Sequence, residues 1–187
     1  QIFTYDQTTN NNLRINNFTR TGYTFLGWSR NSSATSAEFE NGAAVLNLTA
    51  INNDNVTLYA VWKANNYSIR FESCDGSVTS NKTIAKKYDE YFDVTAVYTK
   101  KGYSIIGYSK TSCSGSKDYP ISSQIKNLAN AEGSSVTLYT LWKSNDYKIV
   151  YEPNGGTGAI DATKCTYDSN CSVTNSKFNR EGYEFVG

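Results

Sequence analysis

The chain has 187 residues, with 18 basic and 17 acidic side chains and a formal net charge of +1, so the electrostatic footprint that nucleic acid or an anionic membrane surface requires is missing. It contains no histidine, which removes the commonest general base and metal ligand. No apolar run approaches the roughly 18 residues of a membrane-spanning helix, and any leader or anchor is expected outside this segment. What is abundant is tyrosine, 15 residues, in a background rich in Asn, Ser and Thr; that mixture favours strands and turns over long helices.

In chain order, a connection carrying Phe18 leads into "GYTFLGW" from Gly22, read as a strand apolar on both faces, with Gly27 leaving room for a neighbouring backbone. Val45 and Leu48 suggest a short covering turn of helix. "VTLYAVW" from Val56 predicts a strand with Val56, Leu58, Ala60 and Trp62 on its buried face and Tyr59 pointing outward. Only Lys63, Ala64 and Asn65 separate it from "NYSIRFES", where Tyr67, Ile69 and Phe71 alternate with Ser68, Arg70 and Glu72 as in a half-buried strand. A turn is expected at "CDGS", a returning strand through Thr83 and Ile84 toward Tyr88, then Tyr98 and the strand "GYSIIGY". "SSQIKNLANAEG" has Ser122 or Ser123 to cap, Ile125, Leu128 and Ala129 at helical spacing, and Gly133 to stop, and so predicts a short helix. "VTLYTLW" from Val136 follows, with Tyr139 outward and Trp142 inward; then "NDYKIVYE", a glycine-rich turn at "PNGGTG", and "GYEFVG".

These elements recur. Gly22-Tyr23, Gly102-Tyr103 and Gly182-Tyr183 keep one register, as do Trp62 and Trp142, and Tyr67 and Tyr147. Three copies of one unit are therefore sampled: a partial repeat over 1–63 without its opening strand, a complete one over 66–143, and a partial one over 146–187 without its closing strand. The three-residue junction is too short for a free tether, so neighbouring repeats are expected to stack at a restricted angle. The parent sequence is expected to continue past Gly187 with a tryptophan and a further "VTLYxxW" segment, and to carry a strand like "YSIRF" before Gln1. End-to-end strand exchange between molecules is the alternative.

The succession "GYTFLGWS", "NGAAVLNL", "VTLYAVW", "NYSIRFESCDGS" resembles the Listeria-Bacteroides repeat, of the internalin B-repeat type, over the whole chain. Tyr108 stands where the family pattern has the tryptophan that Trp28 supplies, and the prolines usual before the Gly-Tyr pair are missing. The resemblance implies mainly β, tandem β-grasp-like modules, each a small mixed sheet with one short helix. It also implies a non-catalytic, extracellular stalk or spacer in a secreted or surface-anchored bacterial adhesin. Partners would be adjacent repeats and a surface protein or glycan.

The remaining chemistry fits that reading. Cys74, Cys113, Cys165 and Cys171 allow three pairings. With no CxxC and no histidine, disulfides inside repeats are favoured over a metal site: Cys74 with Cys113, and Cys165 with Cys171 across the tip "CTYDSNC". Asp89, Glu90 and Asp93, and Asp54 within "NNDN", lack calcium-loop spacing and read as solvated turns. Glu72 and Asp75 could be drawn as a hydrolytic pair, but their counterparts are Glu152 and Gly155. No catalytic residue, cofactor or metal is expected. Trp28, Trp62 and Trp142 read as core or inter-repeat residues rather than a sugar platform, and Tyr59 and Tyr139 as candidates for a contact surface. Seven N-x-S/T sequons, at Asn17, Asn31, Asn47, Asn55, Asn66, Asn81 and Asn170, are what an Asn-, Ser- and Thr-rich chain produces without selection for glycosylation.

Overall fold

A computed structural model describes residues 1–9, 11–76 and 81–187. Among them there are eleven strands and no helix: β1 (Tyr23–Ser29), β2 (Tyr59–Ala64), β3 (Asn66–Glu72), β4 (Lys82–Lys87), β5 (Phe92–Asp93), β6 (Tyr103–Ser109), β7 (Tyr119–Pro120), β8 (Gln124–Ile125), β9 (Ser134–Ser144), β10 (Asp146–Ile149) and β11 (Thr163–Thr166).

The middle repeat supplies a five-stranded sheet in the order β4-β3-β9-β6-β7. β9 and β6 run antiparallel, Tyr103 opposite Ser144 and Ser109 opposite Tyr139. Contacts between β3 and β9 advance in the same direction along both strands. The Gly133 amide donates to the Asn66 carbonyl, the Thr140 hydroxyl to the Glu72 carbonyl and the Trp142 indole to the Ser73 carbonyl. Those two strands are therefore parallel and the sheet is mixed. Alternation in β3 comes out as read, with Tyr67, Ile69 and Phe71 buried.

The eighty-residue register is visible in the backbone itself. β1 pairs with β2 as β6 pairs with β9: Tyr23 faces Ala64 where Tyr103 faces Ser144, and Phe25 faces Trp62 where Ile105 faces Trp142. The register slips at the same place in both, between Phe25 and Gly27 and between Ile105 and Gly107. At each slip a passing carbonyl, from Phe39 or Tyr119, lies where a β-carbon would have to go.

The helix expected over 122–133 does not form. Ser122 and Asn127 sit in the left-handed region (φ 67° and 58°), and Phe92 pairs with Ile125 and Asp93 with Gln124. An isolated helix of this length is marginal in water, so the extended pairing prevails. The counterpart in the first repeat is extended too: Ala44 bridges Asn12, and Val45 is buried without a helix. With no helix to clasp, the β-grasp description is not supported for the described residues.

The tryptophans also need correction. Trp62 and Trp142 are only half-buried; on the closing strand of the middle repeat the fully buried positions are Leu138 and Thr140, with Leu141 also in the core. The slip opposite Gly107 lets Leu141 turn inward beside Trp142, so strict alternation fails there. Tyr108 is 0% exposed, lies edge-on to Phe71 at 5.1 Å, donates its hydroxyl proton to the Thr95 carbonyl at 2.8 Å and accepts from the Val97 amide at 3.2 Å.

The turn expected at "CDGS" begins at Cys74 (φ 55°) and Gly76 (φ 86°); Ser77 lies outside the described residues. By packing, the chain divides into two units, one of residues 1–70, 83–93 and 124–137, the other of 71–82, 94–123 and 138–187. Neither follows a sequence repeat.

Candidate functional site, a junction built twice

Each of those units contains one passage from a repeat to the next. At the first, the Asn65 amide donates to the Gly22 carbonyl at 2.9 Å, and the Asn65 carbonyl accepts from Tyr88 at 2.9 Å. The Asn65 side chain accepts from the Thr24 hydroxyl at 2.6 Å and donates to the Asn130 carbonyl at 2.7 Å. Every polar group of this buried asparagine is thereby satisfied, which burial demands. Tyr23 meets Tyr88 edge-on at 5.8 Å, and its hydroxyl donates to Asp89 at 2.8 Å. The Tyr88 ring covers Gly22 so closely that a β-carbon there would collide with it.

The second passage repeats the backbone bonds, the hydroxyl bond to the asparagine and the tyrosine–aspartate bond. Asn145 donates to the Gly102 carbonyl at 2.8 Å and accepts from Tyr167 at 2.9 Å, while Ser104 donates to its side chain at 2.6 Å. Tyr103 meets Tyr167 at 5.8 Å and its hydroxyl donates to Asp168 at 2.8 Å. The Tyr167 ring lies over Gly102 as Tyr88 lies over Gly22. A cation covers the outer face of each Gly-Tyr tyrosine: Arg20 at 3.7 Å from the Tyr23 ring centre and Lys100 at 4.0 Å from that of Tyr103, an arrangement favoured by the ring quadrupole.

The aspartates are presented by the backbone. Asp6, Asp89 and Asp168 all adopt left-handed conformations (φ 58°, 66° and 58°), a region aspartate visits more readily than most residues. Asn127 clamps Asp89 with a pair of bonds, accepting from its amide at 2.6 Å and donating to its carboxylate at 2.9 Å. Asn47 grips Asp6 the same way, both bonds at 2.7 Å.

These tyrosine–aspartate bonds carry a pH signature. Tyr23 and Tyr103 are pushed above the ordinary tyrosine value of 10.0, chiefly because each phenol donates to a carboxylate, Asp89 or Asp168. Asp89 is held below the ordinary 3.8, first by the Asn127 amide and then by the Tyr23 phenol. A raised phenol value gives stability present below the ordinary value and lost as pH climbs through the folded one; a depressed carboxylate gives stability lost as pH falls through its folded value. Both junction tyrosines are expected to titrate after the bulk of the phenols. Alkaline absorbance titration of the native chain against Tyr23→Phe and Tyr103→Phe checks this. If each variant instead lacks an ordinary, early-titrating phenol, the bonds do not persist in solution.

The other candidate residues are placed as follows. Cys74 is bonded to Cys113 and Cys165 to Cys171, with Cα separations of 5.5 and 5.6 Å. Tyr59 is exposed at the start of β2 and Tyr139 is half-buried in β9; they belong to different packing units. Asp89, read from the sequence as a solvated turn residue, is a junction residue instead. The available signal was the dipeptide Tyr-Asp, which precedes each Gly-Tyr pair at Tyr5-Asp6, Tyr88-Asp89 and Tyr167-Asp168. Among the described residues no group of three or more His, Cys, Asp or Glu side chains stands together as a metal ligand set. A concavity of about 880 Å³ opens beside Trp28, Val45, Leu48 and Leu58 in the first repeat. Trp28 lines it, and among the described residues its buried indole N–H has no hydrogen-bond partner.

The Listeria-Bacteroides repeat domain matches residues 1–61 and 147–187, more than half of the chain. The chain belongs to the Listeria-Bacteroides repeat family. Two proteins of Evansella cellulosilytica are similar to it. One, described as a Gly-rich membrane protein, is 30% identical over 145 residues, which is 75% of this chain and 16% of that protein. The other, described as a membrane protein, is 28% identical over 168 residues, 89% of this chain and 22% of the relative. The chain thus spans less than a quarter of the relatives it matches. No solved structure matches this member of the repeat family.

Proposed function

We propose that this chain is a non-catalytic, extracellular segment of a bacterial surface protein, in which tandem Listeria-Bacteroides repeats serve as the stalk or spacer of an adhesin. The residue ranges 1–63, 66–143 and 146–187 are its repeating units. The reading rests on the junction between repeats, made twice with the same tyrosine–aspartate bond and an edge-on ring pair at the same separation. A spacer gains reach from such joints, because a fixed angle carries the direction of one repeat into the next. Relatives described as membrane proteins, each several times longer than this chain, supply the surface setting.

The test is a substitution at the joint. Gly102→Ala places a β-carbon in the Tyr167 ring at a left-handed residue (φ 75°). The strain is about 1–3 kcal/mol, relieved by releasing the ring. Small-angle scattering is expected to show one well-defined particle for the native chain and a broadened, expanded distribution for the variant. Identical profiles from two freely hinged ensembles would remove the stalk reading.

A second reading, contact with a surface protein or glycan, draws on one observation. Among the described residues β2 has β1 as its only sheet neighbour, and Tyr59 stands exposed on it. An open edge and an exposed tyrosine are what strand addition uses. Saturable binding to cell-surface extracts, lost in Tyr59→Ala, would favour it.

A further inference from the structure

The two joints use one turn. In each, an amide closes back onto the carbonyl three residues earlier, Glu90 onto Lys87 and Ser169 onto Thr166, both at 3.1 Å. The residue before that amide is the left-handed aspartate, with φ 66° at Asp89 and 58° at Asp168. Such a conformation costs energy for any residue with a β-carbon. The turn therefore needs a brace if its tyrosine ring is to stay on the glycine and its carboxylate under the phenol.

The braces stand at the same two positions and differ in kind. Two residues before the tyrosine and three after the aspartate are Lys86 and Phe92 at the first joint, and Cys165 and Cys171 at the second. Lys86 Nζ lies 5.5 Å from the Phe92 ring centre and pairs with Glu90, inside the turn, at 2.8 Å. Asn127 adds its clamp on Asp89. At the second joint the two positions are joined covalently. The disulfide closes a ring around Thr166–Asn170, which holds both contributions of the turn to the joint: the Tyr167 ring over Gly102 and the Asp168 carboxylate that accepts from Tyr103. Cys165 is buried in β11, but Cys171 is only half-buried, between exposed Asn170 and Ser172, so a small thiolate can reach one of the two sulfurs.

We propose that Cys165–Cys171 is a redox lock on the second joint: a dithiol reductant opens it, releases the Tyr167–Asp168 turn from Gly102 and Tyr103, and leaves the first joint closed. One thiolate of the reductant attacks Cys171 Sγ; the S–S bond breaks, and the Cys165 sulfur leaves as a thiolate and takes up a proton. The second thiolate of the reductant then displaces Cys171, so the protein gains two thiols and the reductant, having given up two electrons, ends as its own disulfide. Lys86 and Phe92 offer no bond to exchange. The inference rests on the stalk reading and deepens it. Of two joints alike in geometry, one holds in any redox surroundings and the other only in oxidising ones.

The experiment follows amide hydrogen exchange by NMR in the full chain. The Asn145 and Tyr167 amides, which make the backbone bonds of the second joint, are the reporters; those of Asn65 and Tyr88 make the same bonds at the first. Dithiothreitol is expected to speed exchange at Asn145 and Tyr167 by about tenfold or more, the scale set by the chain entropy that so short a loop withholds, and to leave Asn65 and Tyr88 unchanged. Cys165→Ala with Cys171→Ala, which keeps Cys74–Cys113, should show the same loss without reductant. Cys165→Lys with Cys171→Phe installs the brace of the first joint and should be protected with or without dithiothreitol. Reductant opens Cys74–Cys113 in that variant as in the native chain, so the difference between them reads the short bond alone. The proposal is overturned if the first variant is as protected as the native chain, if the second responds to reductant as the native chain does, or if Asn65 and Tyr88 lose protection equally. Reporters unprotected in the oxidised native chain would mean that the second joint does not close in solution, which sinks the stalk reading too; protection that survives reduction sinks only this one.

Discussion

Tyr108→Ala is expected to destabilise the folded chain by about 3–5 kcal/mol, the range for truncating a buried aromatic. Two losses coincide. The ring is fully buried and edge-on to Phe71, and its hydroxyl satisfies both the Thr95 carbonyl and the Val97 amide. Tyr108→Phe separates them: it keeps the ring and gives up the bonds, for about 1–3 kcal/mol. Denaturant unfolding, with exchange of the Leu138 and Thr140 amides as the local reporter, should rank native, Phe and Ala in that order. Equal stability of the Phe variant and the native chain would mean that Thr95 and Val97 find other partners.

Removing the Cys74–Cys113 bond is expected to cost about 4 kcal/mol, and removing Cys165–Cys171 about 2, from the chain entropy each loop returns to the unfolded state. The difference comes from loop length, with separations of 39 and 6 residues. The long bond ties the turn after β3 to the segment following β6. The short one ties Cys165, within β11, to Cys171 in the turn that follows it. Paired Cys→Ala variants compared by thermal unfolding, with and without reductant, check both. Reductant should bring the native chain to the level of the two paired variants combined. A larger loss from the short bond than from the long one would show that unfolded-state entropy is not the governing quantity.

Periodicity made much of this legible. Tyr67, Ile69 and Phe71 are buried as their alternation implies, because a sheet with one covered face imposes a period of two on its strands. Repetition of "VTLYAVW" and "VTLYTLW" translated directly into two identical registers. The segment over 122–133 misled because Ile125, Leu128 and Ala129 satisfy helical spacing locally. What decides there is non-local, the pairing with Phe92 and the need to hold Asp89 with Asn127. Trp142 misled for a related reason: strict alternation ignores the slip at Gly107. The junction was the hardest to see. Its residues are far apart in sequence, and Tyr-Asp looks like any polar turn until its ring is found lying on a glycine of the preceding repeat.

The parallel placement of β3 beside β9 bears on what happens when the ends are pulled. The chain enters the middle repeat at Asn66, the start of β3, and leaves at Ser144, the end of β9, and in adjacent parallel strands those points lie at opposite ends of the pair. Tension applied through the neighbouring repeats therefore slides one strand along the other and loads the bonds between them together, instead of opening them one after another from an end. Forced unfolding is governed by the barrier to rupture rather than by equilibrium stability. The length such a repeat keeps under load is then set by how fast those strand-to-strand bonds rupture.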